Sequence, residues 1–522
     1  MAVAQSEGSA DGYGMSLRMQ AVKNVSAMWL GLLVHALTGC FLSPYILHKL
    51  GDEAFSLWIL VFALTGYFGL LDLGVRFSIV KYTAEFTATN NREGLSRYLS
   101  TSVAFYTLMG GVTAMATAIA CFCLPLLFRI SPAFLREGRL LLVFSGAGMA
   151  VAFPLTVFTA ALEGLQKFSW LQLSQIAITI LRAALIVTAV KRGGGLLAVG
   201  LITVAVSVLS SAVFTCLAIY ELPIRLSAKH LEWRAFREMG SYGAFAFVIL
   251  LAEKLRFQSD AMVIGALVSS AAITSFSIAA KLVEYASYAV RSMSQVFMPM
   301  SSQFHASGDL ARLRRTFITG NRISALVIIP ICVALIVLGK PVIEAWVGTR
   351  YLGSYFILVI LIVPRTLYLA QSTSIRILLG MGRHRALAFV LLLEGASNLL
   401  LSLWFARLFG ITGVALGTAI PLACTSLFFL PGHLCRVLEF PLAAFLARAY
   451  RLPVVLGAFQ AAVLLLLNRE FPVHGYAGVL FEIAASGVVY FAYFGWMLFN
   501  RETSRPITWH LFAQLLESEG AV

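Results

Sequence analysis

Apolar runs of about 20 residues follow one another along nearly the whole chain, separated by short polar connections. Runs of this length match a helix that crosses the hydrocarbon core of a bilayer, whereas barrel strands would be about half as long and would alternate in polarity. The pattern predicts an all-α polytopic membrane protein with about 14 transmembrane helices. Their expected ranges are 24–47, 54–78, 99–127, 139–161, 168–190, 195–219, 241–265, 271–299, 318–339, 354–378, 386–407, 412–433, 443–467 and 476–499.

Two adjacent spans, 241–265 and 271–299, carry charged residues in their interiors. A charge at the bilayer centre costs about 2.5–3.5 kcal/mol, so these side chains must face protein or water. Helical spacing puts Arg256 on one face with Asp260, and Lys281 on one face with Glu284, where each pair can partly neutralise itself. Two interpretations stay open at this point. The charges line a wet cationic cavity, or they form structural ion pairs that hold helices together.

The composition excludes an ordinary soluble protein. Of 522 residues, 60% are hydrophobic and only 12% are charged, and no connection is long enough for a soluble domain. The net charge of +15 is dispersed among the connections and forms no dense basic stripe, which disfavours nucleic acid as a partner. One set of alternating connections holds about twice as many Lys and Arg residues as the other. This bias predicts that both termini are cytoplasmic.

The sequence offers no metal or cofactor motif. The seven cysteines are scattered, and the closest pair, Cys121 and Cys123, has no partner motif, so we expect neither a disulfide framework nor a zinc site. The run Gly193-Gly-Gly195 lacks the Lys-Ser or Lys-Thr that follows in a phosphate-binding loop. Residues Met1 to Arg18 lack the features of a cleaved signal peptide, so we expect the first span to be retained.

The chain matches itself when it is shifted by about 217 residues. Ala54-Phe-Ser-Leu-Trp58 aligns with Ala272-Ile-Thr-Ser-Phe276, and Arg97-Tyr-Leu-Ser-Thr101 aligns with Arg315-Thr-Phe-Ile-Thr319. The unit contains six spans, an even number, so both copies enter the membrane with the same orientation and form a parallel repeat. The expected organisation is an N-terminal segment 1–23, an N-lobe 24–220, a linker 221–240, a C-lobe 241–433, two further helices 434–499 and a tail 500–522.

The candidate residues can be ranked by how deeply they lie within the predicted spans. Arg256, Lys281 and Arg365 lie too far inside to reach either surface easily, so they are the strongest candidates for binding an anionic head group. Arg291 and Arg76 are further binding candidates, and Arg182 is left open between a cavity and a surface role. The candidates for ion pairing or for coupling are Asp72, Glu253, Asp260, Glu284 and Glu394. No residue is assigned a catalytic role.

Two stretches resemble a known family. Leu50-Gly-Asp-Glu-Ala-Phe-Ser-Leu-Trp-Ile59 and Tyr67-Phe-Gly-Leu-Leu-Asp-Leu-Gly-Val-Arg76 are similar to the first external loop and second helix of Wzx-type polysaccharide flippases. Further similarities are Leu162-Glu-Gly164, Leu379-Gly380 and Ala345-Trp-Val-Gly348. This family belongs to the MATE-like multidrug/oligosaccharidyl-lipid/polysaccharide exporter superfamily.

The resemblance implies two six-helix lobes followed by two extra helices. It also implies movement of an undecaprenyl-diphosphate-linked oligosaccharide across the bacterial cytoplasmic membrane, for surface polysaccharide synthesis, without a cofactor. The implied partners are this lipid-linked substrate, membrane lipid, and a polysaccharide polymerase with its export machinery. Of individual residues, only the region of Asp72 and Arg76 carries over, because only that motif matches.

Two other functions remain open. The first is a MATE-like exporter of small molecules, which an excess of positive charge in the cavity would disfavour for cationic substrates. The second is a membrane enzyme of polysaccharide assembly, such as a ligase, polymerase or glycosyltransferase. The expected external loops are short and hold no acidic cluster and no pair of nucleophile and base, which favours a transporter over such an enzyme.

Overall fold

A computed structural model describes residues 30–222, 226–227, 231–470 and 475–499, nearly all of them in helices joined by short turns. Ten helical segments are long and apolar enough to cross a membrane, or eleven if one bent pair counts as a single span. The prediction of an all-helical, multi-pass membrane protein is therefore confirmed. The count of 14 stays a prediction, because the two helices that carry the embedded charges are not among these ten.

The helices are numbered in chain order. They are α1 Leu30–Leu50, α2 Asp52–Phe68, α3 Val75–Ala88, α4 Arg92–Leu127, α5 Pro132–Gly164, α6 Phe168–Lys191, α7 Leu196–Glu221, α8 Trp233–Phe257, α9 Ser259–Leu267, α10 Ser270–Ser294, α11 Phe297–Ala306, α12 Leu310–Val337, α13 Gly339–Val347, α14 Ser354–Ala370, α15 Ser372–Gly380, α16 His384–Cys424, α17 Leu430–Val437, α18 Leu442–Glu470 and α19 Gly475–Phe499.

The chain divides into two compact units. Unit 1 comprises Met1–Tyr288 and Arg383–Thr425, and unit 2 comprises Ala289–Gly382 and Ser426–Val522. The predicted lobes, 24–220 and 241–433, stay a prediction. The predicted terminal segments 1–23 and 500–522, and part of the linker 221–240, lie outside the described residues.

In unit 1, helix α5 is the centre of the packing and contacts α3, α4 and α7. Its core residues Phe153 and Val157 pack with Ile79 of α3 and with Leu99 and Tyr106 of α4, all of them buried. Burying an apolar side chain of this size contributes about 1.5–3 kcal/mol relative to exposure in water. This cluster fixes the helices that carry the Asp72 and Arg76 motif.

In unit 2, helix α12 packs against α14 and α18, and α18 packs against α19. The rings of Phe317 and Phe445 are stacked with centroids 4.0 Å apart at the contact of α12 with α18. At the contact of α12 with α15 the packing is polar, since Asn321 Nδ2 donates to Ser374 Oγ at 3.0 Å.

Several helices are interrupted where the sequence predicted continuous spans. The predicted span 241–265 breaks at Gln258 between α8 and α9, and the predicted span 354–378 bends by 42° at Gln371 between α14 and α15. Within α16, by contrast, Gly410 has φ 59° and separates two helices at the place where the sequence predicted the connection between spans 386–407 and 412–433. Such breaks release backbone groups from the helical ladder, and inside a membrane these groups need protein or water partners. Hydrophobicity alone does not reveal the breaks at Gln258 and Gln371.

The predicted span 54–78 also ends early. Helix α2 stops at Phe68 and is followed by a tight turn in which Leu73 has φ 50° and Gly74 has φ 77°. Glycine adopts positive φ without a steric penalty, which explains its place in the motif. The turn starts the new helix α3 and brings Asp72 next to the first turn of that helix.

Candidate functional site

Unit 1 contains a cavity of about 680 Å³ lined by helices α1, α2, α6, α7, α9 and α10. This volume lies within the range of about 300–1,000 Å³ that is usual for binding sites of small molecules. Its ionisable lining residues are His35, Arg182, Asp260, Lys281 and Glu284, together with tyrosines of α10. Aromatic rings and hydroxyl groups supply much of the remaining surface: Trp58, Phe62, Phe276, Ser43, Thr38, Thr179, Thr203 and Ser207.

One face of α10 forms a continuous part of this lining. Ser277, Lys281, Glu284, Tyr285 and Tyr288 all contribute to it, at spacings of three or four residues. Residues at this spacing lie on one helix face, and with a rise of 1.5 Å per residue the stretch from 277 to 288 covers about 16 Å of helix axis. Helix α10 therefore presents a cation, an anion and two phenol rings in a row along the cavity.

Lys281 is held by a hydroxyl group and by aromatic rings. Its Nζ donates to Ser43 Oγ at 2.8 Å, and it lies 5.2 Å from the ring centroid of Phe55 and 5.7 Å from that of Trp58. Cation–π contacts of this length are favourable by about 0.5–2 kcal/mol each. Glu284 forms no close ion pair with Lys281 among the described residues, so the expected partial neutralisation is a longer-range electrostatic attraction. The ammonium group thus keeps donors for a ligand.

Glu284 of α10 and Arg182 of α6 also line the cavity. Glu284 is exposed to the cavity and accepts a hydrogen bond from Tyr288 Oη at 3.0 Å. The ring of Tyr288 contacts that of His35 edge-on, at 6.0 Å between centroids. Arg182, which the sequence left undecided, lines the cavity. The described residues provide no ion pair for Arg182, so its guanidinium group is available to an anionic ligand.

The cavity does not carry the expected excess of positive charge. Two cations, Lys281 and Arg182, face two carboxyl groups, Asp260 and Glu284, so the formal charges of the lining sum to zero with His35 neutral. Lys281 and Asp260 nevertheless differ in their surroundings. Lys281 lies among aromatic rings, whereas Asp260 lies in a cluster of neutral oxygen atoms.

This cluster joins the break between α8 and α9 to the two halves of α16. Thr418 Oγ1 lies 3.0 Å from Asp260 Oδ1, 3.2 Å from Asn398 Oδ1 and 3.2 Å from the Val414 carbonyl oxygen. Ser402 Oγ lies 3.0 Å from Asn398 Oδ1 and 3.4 Å from the Val414 oxygen. Five oxygen atoms with one carboxylate among them thus converge in a buried place at the edge of the cavity.

Such an arrangement suits a small monovalent cation. Interrupted helices and backbone carbonyl groups are a common way of holding Na⁺ or a proton within transporter cores. Among the described residues, no group of three or more His, Cys, Asp or Glu side chains could hold a metal ion. The oxygen cluster at Asp260 is not a group of this type, because Asp260 is the only His, Cys, Asp or Glu residue among the five that contribute an oxygen atom.

Arg256 pairs with Glu394 and not with Asp260, which corrects the expected pairing. Arg256 Nε lies 2.5 Å from Glu394 Oε1, and the two side chains are 2% and 3% exposed. The carbonyl oxygen of Arg256 also accepts from Asn398 Nδ2 at 3.0 Å. The expected pairing assumed one continuous helix, but the break at Gln258 changes the direction of the chain between the two residues. Arg256 does not line the cavity, and its role in binding substrate stays a prediction.

The motif at Asp72 and Arg76 forms two separate contacts. Arg76 Nη2 pairs with Glu163 Oε1 at 2.6 Å, so the arginine binds the last turn of α5 and not the aspartate. Asp72 Oδ1 accepts from the backbone N–H of Arg76 at 3.0 Å and from Tyr106 Oη at 2.6 Å. Asp72 and Arg76 thus form no ion pair with each other: Asp72 accepts a hydrogen bond from the first turn of α3, and Arg76 forms an ion pair between helices. Arg76 and Asp72 do not line the cavity.

The remaining candidates lie elsewhere. In unit 2, Arg365 is buried on α14 beside Pro364, and its guanidinium carbon lies 5.6 Å from the ring centroid of Tyr368. Arg291 and Glu253 are exposed on α10 and α8. Binding of substrate by Arg365 and Arg291, and coupling by Glu253, stay predictions.

Sequence reasoning missed the aromatic part of the lining. Trp58, Phe62 and Tyr288 lie in helices that are rich in apolar residues, where an aromatic ring carries no signal of its own. One indirect signal was available. Tyr285 and Tyr288 lie at helical spacing from the charged residues of α10, which places the two rings on the same face as the charges.

The fold is similar to those of several solved membrane proteins. The chain is similar to the structure of lipid II flippase MurJ in an inward closed conformation, with a TM-score of 0.67 and 16% identity over 93% of this chain and 100% of that one. It is also similar to an inward-facing multidrug resistance MATE family transporter of the MOP superfamily, with a TM-score of 0.66 and 13% identity over 81% and 98% of the two chains. At these identities the likeness establishes the MATE-like fold.

The family follows from the sequence. A family model described as "Polysaccharide biosynthesis protein" matches residues 54–355, which is more than half of the chain, so the chain belongs to that family. It is 22% identical over 452 residues to "Uncharacterized membrane protein EpsK" of Bacillus subtilis (strain 168), covering 85% of this chain and 88% of the relative. It is 20% identical over 439 residues to "Putative O-antigen transporter" of Shigella flexneri, covering 81% and 100%. The resemblance to Wzx-type flippases is confirmed at the level of family and fold.

Proposed function

We propose that the protein is a flippase that moves an undecaprenyl-diphosphate-linked oligosaccharide across the bacterial cytoplasmic membrane by alternating access. In this proposal 14 helices, two six-helix lobes and two extra helices, cross the inner membrane with both termini in the cytoplasm. Membership in the polysaccharide biosynthesis family and the likeness to a lipid II flippase support this choice. The protein acts by moving its cargo and not by catalysing a reaction on it.

The observation that carries the proposal is the setting of Lys281 in the cavity of unit 1. A diphosphate brings about two negative charges, and ammonium and guanidinium groups are strong hydrogen-bond donors to phosphate oxygens. Lys281 uses one of its three donors on Ser43, and Arg182 lines the same cavity. The surrounding hydroxyl groups and aromatic faces of Trp58 and Tyr288 suit a sugar, which has both polar edges and apolar ring faces.

The oxygen cluster at Asp260 provides a candidate for ion coupling. Asp260 belongs to the cavity lining and to the cluster at the same time, so a cation bound there changes the charge that the cargo meets. With the cation bound, the lining gains one positive charge and favours the diphosphate more strongly. Release of the cation would weaken that attraction, which is the direction of change needed for unloading.

A complementation assay tests the cargo site. The variants K281A, R182A and the double variant are expressed in cells that lack the native gene, and surface polysaccharide is measured beside protein level in the membrane. We expect the double variant to lose export and to accumulate the lipid-linked intermediate, because the diphosphate has lost both donors. Lys340 gives a matched control, since its Nζ also lies over an aromatic ring, 5.4 Å from the centroid of Tyr355, but outside this cavity. Normal export by the double variant, or equal loss in K340A, would contradict the proposed site.

A second candidate function is export of small cationic molecules. The observation that favours it is the pair of carboxyl groups in the cavity, Asp260 and Glu284, which attract a positively charged substrate. An efflux assay with a cationic dye separates the two functions. A flippase gives no change in dye accumulation when the protein is produced, whereas an exporter lowers it and loses that effect in E284Q.

A further inference from the structure

Helix α19 carries one buried carboxyl group that the proposed transport mechanism does not use. Glu482 is the only acidic residue between Gly475 and Phe499, and it is 3% exposed within unit 2. Val479, Ser486 and Tyr490, at spacings of three, four and eight residues from Glu482, are also buried. These residues form the face of α19 that packs toward α12 and α18.

Where this face meets α18, three side-chain oxygen atoms accept no hydrogen bond from the described residues. Neither carboxyl oxygen of Glu482 has a hydrogen-bond partner among the described residues, and the same holds for Oε1 of Gln460 on α18. The amide nitrogen of Gln460 already lies 3.4 Å from the Pro330 oxygen and 3.5 Å from Ser486 Oγ. Ser486 lies about one helical turn, or 6 Å along the axis, from Glu482 on the same face, so the Gln460 amide contacts α19 one turn away from the carboxyl group.

The neighbouring helices offer no positive charge to this carboxyl group. The stretches 323–337 of α12 and 452–468 of α18 contain no basic or acidic residue, and Cys332 is their only titratable side chain. Helix α13 also packs on α19, and its two charged residues, Lys340 and Glu344, are both exposed. An ionised carboxylate in such surroundings would lose its hydration without gaining a partner, which strongly favours the protonated, neutral form.

We propose that Glu482 is a proton-binding site in the α18–α19 hairpin, with Gln460 Oε1 as the acceptor of the bound proton. One bound proton accounts for both observations. It removes the charge of Glu482, and it supplies the donor that Gln460 Oε1 lacks. This site is separate from the cation cluster at Asp260, which lies in unit 1.

The site lies where the hairpin is attached to α12. Pro330 has no N–H, so the carbonyl oxygen of Leu326, four residues earlier, lacks its helical donor. Tyr490 Oη of α19 donates to that oxygen at 3.2 Å, and Gln460 of α18 donates to the Pro330 oxygen. Glu482 is thus enclosed by a contact that polar side chains of both hairpin helices stabilise. Loss of the proton requires water to reach the carboxyl group, and therefore requires the hairpin to separate from α12.

Infrared difference spectroscopy on the purified full-length protein in lipid at pH 7 tests the proposal. The spectrum of E482Q is subtracted from that of the wild type, and the carbonyl stretch of a protonated carboxyl group is expected in the difference. Glu470, which is exposed at the end of α18, gives the control: wild type minus E470Q should contain a carboxylate band. The substitution in E482Q keeps the size and neutrality of a protonated glutamate, so we expect normal folding, checked by thermal unfolding. If E482Q does not fold, E482D is compared with wild type for a shift of the same band.

The difference spectrum of wild type minus E482Q has two possible results. The glutamate that the substitution removes contributes either the band of a protonated carboxyl group or the band of a carboxylate. A carboxylate band in the E482Q difference would overturn the proposal. The variant Q460L then tests the acceptor, since the protonated band should move to the higher frequency of an acid that donates no hydrogen bond. An unmoved band would overturn the assignment of Gln460. Neither measurement depends on transport, so failure here is distinguishable from failure of the proposed function.

Discussion

Ser56 Oγ of α2 and Thr274 Oγ1 of α10 lie 2.6 Å apart in the interior of unit 1. The two residues are equivalent in the internal repeat, since Ala54-Phe-Ser-Leu-Trp58 aligns with Ala272-Ile-Thr-Ser-Phe276. Two positions that the sequence alignment pairs therefore lie in direct contact, near the beginnings of α2 and α10.

A double cysteine variant tests this contact. In a background without the seven native cysteines, S56C/T274C should form a disulfide on mild oxidation, because the two side-chain atoms already lie within bonding reach. The control is S56C/S275C, in which the second side chain is turned by about 100° around α10. Cross-linking is measured by the shift of a protein cleaved between the two sites. Equal cross-linking in both variants would contradict the contact.

The ion pair of Arg256 with Glu394 should contribute strongly to stability when one partner is removed. Because both side chains are buried, E394Q removes the carboxylate that neutralises the guanidinium group of Arg256, and we expect a loss of about 3–5 kcal/mol in the free energy of unfolding. The double variant R256M/E394L removes both charges and should recover most of that loss. Thermal unfolding of purified protein measures the three forms.

The pair of Arg76 with Glu163 is the control for this prediction. Its side chains are 33% and 28% exposed, so water screens the charges, and E163Q should cost only about 1 kcal/mol or less. If E394Q is no more destabilising than E163Q, Arg256 is not held by a buried pair. The interpretation of Arg256 as a substrate-binding residue would then gain support.

Adjacent glycines in α4 should respond differently to alanine. A Cβ atom at Gly110 would lie 2.6 Å from the backbone oxygen of Ala150 on α5, whereas one at Gly111 meets nothing within 4 Å. We expect G110A to force α4 away from α5 and to lower the unfolding temperature. G111A should be neutral or stabilising by up to about 1 kcal/mol, because alanine favours the helix over glycine. Equal effects of the two substitutions would show that α4 and α5 are not in close contact at this point.

The sequence predicted the helical class of the protein and its membrane-embedded charges, because both follow from the length of apolar runs and the cost of burying charge. It did not predict the partners of those charges. Arg256 pairs with Glu394, 138 residues away, and Lys281 donates to Ser43, 238 residues away. Such contacts depend on how distant helices pack, which helical periodicity does not specify. The break at Gln258 was missed as well, since it leaves no mark in hydrophobicity.

Sodium should stabilise the protein through the oxygen cluster at Asp260. Thermal unfolding is measured in sodium chloride and in choline chloride at equal ionic strength, because choline is too large for the cluster. A ligand that binds only the folded state adds about 2.7 kcal/mol at 100 times its dissociation constant, so the wild type should unfold at a higher temperature in sodium. D260N removes the negative charge of the cluster and T418V removes an oxygen ligand, so both variants should lose this difference between the two salts.

The control for that comparison is T203V, which replaces another buried threonine of the cavity lining outside the cluster. Thr203 Oγ1 donates to the Val199 oxygen of its own helix, so its loss should lower stability equally in both salts and leave the sodium effect intact. The same substitution of threonine by valine thus abolishes the response to sodium at position 418 and preserves it at position 203. If the wild type unfolds at the same temperature in both salts, the cluster does not bind sodium, and coupling through Asp260 would have to use a proton instead.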